Sequence, residues 1–186
     1  SDGPIGRGAP VSDVSPTRSA VIEMKDERRA MHEGYVFLDE KCLLLAAEMV
    51  RGLRRYEALR REFRGAQQAA QAALEAALAR HGLQGLQVYP PALPAEARLE
   101  VASRPLLGIA LQEAALAGPL SAACKPLQRS PEAEACREAF AELLRRAAAL
   151  AALAGNLERL LAEYRRASRR ARALQDVLLP ELAQTL

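Results

Sequence analysis

Tryptophan is absent from the 186 residues, and aromatic side chains make up only 4% of them. A compact core of this size normally draws on more large rings, so the composition argues against one globular body. Histidine occurs only as His32 and His81, and the cysteines Cys42, Cys124 and Cys136 form no CxxC pair. A structural zinc site is therefore not expected. The odd cysteine count gives no disulfide framework and points to a reducing compartment. No Gly-rich phosphate loop, GxSxG or HExxH occurs, so no catalytic residue, metal ligand or cofactor is expected. No apolar stretch approaches the roughly 20 uncharged residues that span a bilayer. The opening SDGPIGRGAP has no apolar centre of the kind a secretory signal needs. Lys and Arg number 26 against 23 Asp and Glu, a net charge of +3, less lopsided than in dedicated nucleic-acid binders.

What is present is Ala, Leu, Glu, Arg and Lys, the composition of long helices and coiled coils. Residues 1–14, rich in Gly, Pro, Ser and Asp, read as a disordered leader or a sequence foreign to the native chain, whose start is expected near Val11 or Ser12. Ser15 suits an N-cap and Pro16 the first helical position, so a first helix is expected over 15–82. Met24, Arg28, Met31, Tyr35, Leu38, Cys42, Leu45, Met49, Gly52 and Tyr56 recur at alternating spacings of four and three, with Arg28 and Gly52 as faults. This is an a/d heptad seam. Residues 83–129 are punctuated by Gly and Pro and read as a small insert with a short β-hairpin. Strands are expected in 86–90 and 98–111, where Leu99 and Val101 alternate with polar neighbours, and helical turns in 112–118. The second helix is expected over 130–186, with Ser130 as N-cap, Pro131 at its first position and acids in the first turn. Its seam reads Phe140, Leu143, Ala147, Leu150, Ala154, Leu157, Leu161, Tyr164, Ser168 and Ala171. Pro180 should kink or fray it.

The fold class that follows is mainly α. A long antiparallel two-helix coiled coil, each helix about 80 to 105 Å long, carries the insert at one end. Met49 should then lie beside Leu161 to Tyr164. Arg165, Arg166, Arg169, Arg170 and Arg172 ring the solvent faces of the second helix. They form either a solvated surface or a positive belt facing an acidic partner. The cluster has no interleaved aromatics for base stacking. Cys42 falls on the seam as a small core residue, and Cys136 lies near a helix start, where a thiol pKa can drop.

VSPTR (14–18) opening a long helix and GYVFLDEKCLLLAAEM (34–49) resemble the N-terminal helix of the D subunit of V-type (vacuolar/archaeal-type) ATPases. RRARALQDVLLPEL (169–182) is similar to that family's signature TRRRVNALE-x-V-[IL]-[IL]-P-[RE]-[IL], with Ala171-Arg172 in place of Val-Asn and Gln175 in place of Glu. SRPLLGIAL (103–111) resembles its hydrophobic strand with an embedded Gly. The family normally continues well past the proline, which implies a truncated or short member here.

The resemblance implies a non-catalytic central rotor shaft of a proton- or sodium-translocating ATPase, on the cytoplasmic side and peripheral to the membrane. Its partners would be the catalytic and regulatory A and B subunits of the head, the small F subunit, and the membrane-rotor adaptor C/d. The arginine belt would face the head ring. The insert, with Val88, Leu99, Val101, Leu107 and Ile109, would dock the F subunit. A free-standing coiled-coil scaffold or chaperone-like protein, or a basic nucleic-acid-binding helical protein, are the alternatives the residues leave open.

Overall fold

The structure is a computed structural model that describes residues 17–89, 97–120 and 129–183. The expected leader over 1–14, Ser15, Pro16, Cys124 and the last three residues lie outside them. The order of elements is α1 (Arg18–Gln87), β1 (Arg98–Leu106), β2 (Ile109–Ala117) and α2 (Pro131–Ala183). At 1.5 Å per residue the helices run about 105 and 80 Å. Thr17, rather than Ser15, caps α1, its hydroxyl accepting from the Ala20 N–H at 3.4 Å. Ser130 caps α2 and accepts from the Ala133 N–H, with Glu132 and Glu134 in the first turn.

The helices pack antiparallel. Gly34 lies against Leu174, Lys41 pairs with Glu163, Gly52 lies against Leu157, and Glu62 pairs with Arg146. At the far end, His81 Nε2 sits 2.6 Å from Ser130 Oγ. As the number rises on one helix it falls nearly one for one on the other, so a single register holds from end to end. Gly52, a fault in the seam by composition, leaves room for a leucine. A Cβ there would stand 2.8 Å from Leu157 Cδ2, so the glycine lets Leu157 lie on the α1 backbone.

On α1 the buried Leu45, Ala70 and Ala77 share a face with the half-buried Met31, Tyr35, Leu38, Cys42 and Met49. The heptads run past residue 63 into this alanine stretch, where small side chains let α2 approach. Among the described side chains of α2 the buried positions are Ala133, Ala141, Asn156, Leu160, Ala167, Ala171 and Leu178. Asn156, Leu160 and Ala167 each precede the expected Leu157, Leu161 and Ser168 by one residue, whereas Ala171 is buried as the expected seam has it. Leu150, Leu157 and Tyr164 are half-buried, while Leu161 is 39% exposed. A one-residue shift turns the buried face by about 100°. Its cause is a second partner: α2 packs on β2 as well as on α1.

The insert does not sit at the end of the rod. Its hairpin lies along the middle of the helix pair, and Ile109 and Leu111 complete a core with Leu45 and Leu160, flanked by Met49, Leu106, Leu107 and Tyr164. Burying such side chains stabilises by about 1.5 to 3 kcal/mol each. Nine antiparallel pairs run from Arg98↔Ala117 to Leu106↔Ile109. The two-residue loop Leu107-Gly108 has φ of 51° and 87°, the left-handed pair of a type I′ turn. Residues 112–117 are strand, not helical turns, because Ala and Leu there pair with β1. Residues 86–87 lie at the helical end of α1 rather than in a strand; Gly82, with φ of 66° and ψ of 170°, breaks the helix where the sequence places its end, and a short second helical stretch follows across the kink.

Asn156 fixes the hairpin to α2. Its Oδ1 accepts from the Gln112 N–H at 2.7 Å and its Nδ2 donates to the Gln112 carbonyl at 2.6 Å. Arg159 donates to Asn156 Oδ1 at 2.9 Å and to Gln112 Oε1 at 2.6 Å. Asn156 is 8% exposed, and these bonds are partly buried. Replacing it, as Asn156→Ala, should cost about 1 to 3 kcal/mol and speed amide exchange in the hairpin while the helical circular dichroism stays. Unchanged hairpin exchange would count against the anchor.

Candidate functional site along the helix pair

Arg165, Arg166, Arg169, Arg170 and Arg172 are all exposed on α2. The acid paired with them is Glu163, which accepts from Lys41 Nζ at 2.6 Å and from Arg166 at 3.3 Å. The hydrogen bond from Lys41 holds the Glu163 carboxyl below the usual range, with the charges of Lys41, Arg166 and Arg170 acting the same way. Arg165, Arg169 and Arg172 form no ion pair among the described residues. The cluster is thus a band of cationic charge held at one end by a shared carboxylate. Among the described residues no acid of α1 pairs with it.

At the same level of the rod α1 exposes an apolar face. Val36, Phe37, Leu43, Leu44 and Val50 lie opposite the seam, with Phe37 at 64% and Leu43 at 66% exposure. The pairings Gly34 with Leu174 and Lys41 with Glu163 set this stretch beside the arginines. The a/d seam alone does not reveal this strip. Val36, Leu43, Ala47 and Val50, spaced seven, four and three, form a second and weaker heptad line on α1 that could have marked it. Monomers rarely leave such a strip uncovered.

The five residues expected to dock a small subunit do not form one surface. Val88 is the C-cap of α1 and 85% exposed. Leu99 and Val101 are exposed on β1, Leu107 is half-buried in the turn, and Ile109 is buried against the helices. Two ion pairs tie the hairpin to α1: Arg104 with Glu48 at 3.0 Å and Glu113 with Arg55 at 3.4 Å. Glu48 also accepts from Arg51, and that bond, with Arg104 beside it, lowers its pKa.

Between the hairpin base and the helices lies a cavity of about 320 Å³ bordered by Arg55, Leu59, Glu113, Ala152 and Asn156. Among the described residues no three His, Cys, Asp or Glu side chains come together in a way that could hold a metal ion. Burial pushes the Cys42 and Cys136 thiols up, so the helix start near Cys136 does not produce a lowered pKa. No described helix is long and apolar enough to cross a membrane.

A family model described as the D subunit of ATP synthase matches residues 20–186, nearly the whole chain. No curated protein matches it.

Lowered folded-state pKa values make Glu163 and Glu48 sources of stability above the usual value of 4.5, lost as pH falls through the lower folded value. The melting temperature should therefore fall on acidification from about pH 6 to about pH 3. Glu163→Gln should start lower at neutral pH and lose less on the way down. Equal acid sensitivity of the two proteins would contradict this role for Glu163.

Proposed function

The chain belongs to the ATP synthase D-subunit family, the non-catalytic stalk subunits of rotary ATPases, and we propose that it is the central shaft that transmits torque between the catalytic head and the membrane rotor. The observation that carries this reading is the single antiparallel register held from Gly34–Leu174 to His81–Ser130. A twisting load on one helix passes to the other through side chains interlocked along the whole pair. A lone helix of this length would bend.

On this reading the arginine band and the apolar strip of α1 run inside the ring of A and B subunits of the head. Exposed charges exchange partners at a cost of about 1 kcal/mol or less, which suits a surface that slides. The hairpin docks the small F subunit, and the His81–Ser130 end meets the adaptor C/d. The translocated ion is a proton or a sodium ion. The shaft stands outside the bilayer, on the cytoplasmic side.

The test replaces Arg165, Arg169 and Arg172 together by Gln. The isolated variant should keep its helical content and melting temperature. Its association with the head subunits should slow by about tenfold at low salt, and ATP-driven ion transport by the assembled complex should fall. Wild-type association and transport would remove the arginine band from the mechanism.

A further inference from the structure

We propose that the outer edge of β1, from Leu99 to Ser103, receives an extended segment of a partner subunit as a third strand of the hairpin sheet. The proposal rests on the stalk reading only for where that partner is found, in the assembled ATPase.

Asn156 reveals which way the strands face. Both the N–H and the carbonyl of Gln112 are bound by the Asn156 side chain, so they point away from β1. Gln112 stands opposite Ser103. A pair whose members turn their backbone groups outward is a non-hydrogen-bonded pair, and such pairs alternate along an antiparallel ladder. The register is continuous, so Leu99, Val101 and Ser103 all direct their N–H and C=O groups to the far side of β1. None of the three has a hydrogen-bond partner among the described residues.

β2 turns its own outer edge to α2, whereas β1 is exposed over its first eight residues. An edge with unpaired donors and acceptors is a template for another strand, and native proteins usually blunt it. On this strand Pro105, which lacks an N–H, stops pairing just before the turn. No proline or glycine interrupts Leu99 to Ser103. Leu99 and Val101, 59% and 51% exposed, stand on one face of the strip beside Leu116 and Ala114. Backbone rungs and alternate apolar side chains on one face are the two elements of recognition by strand addition.

The occupant is a different chain rather than a second copy. Two β1 edges paired about Val101 would set Arg98 of each copy opposite Arg104 of the other, twice by symmetry. Like charges directly opposite destabilise a strand pair, and Arg104 is already committed to Glu48. Arg98 forms no ion pair among the described residues. The partner strand therefore carries apolar residues at alternate positions and a carboxylate opposite Arg98.

The experiment compares amide exchange, resolved to single residues, in the isolated full chain and in the purified ATPase complex that contains it. Leu99, Val101 and Ser103 should exchange at least about tenfold more slowly in the complex, while Leu111 and Glu113, already in the ladder, change little. Val101→Pro removes one outward N–H and no hairpin bond. It should keep slow exchange at Leu111 and Glu113 and weaken retention of the partner by about tenfold, whereas Val101→Ile should behave as wild type. A complex whose three edge amides exchange as in the isolated chain overturns strand addition and leaves the stalk reading standing. A chain that does not co-purify with ATPase subunits overturns both. Protection that appears in the isolated chain and grows with its concentration identifies a second copy as the occupant and also overturns the proposal.

Discussion

A helix of 70 residues in water draws little stability from its own hydrogen bonds, because each replaces a bond to solvent; its apolar face needs cover. α1 and α2 supply that cover to each other. From Gly34 to His81 on one helix and from Leu174 to Ser130 on the other, the contacts advance in step. Slipping the register would lift Leu157 off Gly52, separate Lys41 from Glu163 and expose Leu45. The position of every other feature follows from this pairing: where the arginines project, which apolar strip is left over, and where the hairpin finds room.

The hairpin is the second consequence. A two-stranded hairpin is marginal by itself. Ile109 and Leu111 give it an apolar footing on Leu45 and Leu160, and Asn156 satisfies the backbone of Gln112 as a neighbouring strand would. A buried asparagine in an alanine- and leucine-rich helix would be destabilising without those partners. With them it fixes the height of the hairpin on the helix pair, since a shift by one residue would present the wrong backbone groups. The ion pairs from Arg104 and Glu113 to α1 are more exposed and add less.

Much of this architecture is legible from periodicity. Alternating spacings of three and four, Ser130 followed by Pro131, and the Gly/Pro-rich middle mark two helices around a hairpin-bearing insert. What is not legible shares one physical origin. Helical periodicity reports that a face is buried, not how many neighbours bury it. α2 meets both α1 and β2, so its buried face turns toward Asn156 and Leu160 and leaves Leu161 exposed. The residues of 112–117 carry Ala and Glu, poor strand formers in isolation, and become a strand because β1 and Asn156 receive them. The second apolar line on α1 is written in the sequence as Val36, Leu43, Ala47 and Val50, but beside a stronger seam it reads as background. The arginine cluster is recognisable as surface from its place beside the seam, and Glu163 is three residues from Arg166 on the same helix; that Glu163 is shared with Lys41 of α1 needs the register.

On the shaft reading the chain is a moving part, and motion is observable directly. A bead or gold rod attached to this chain, in a complex whose head subunits are fixed to glass, should turn in one direction when ATP is added and stop when ATP is withdrawn. A complex that hydrolyses ATP while the label stays still, or wanders without direction, would contradict the shaft.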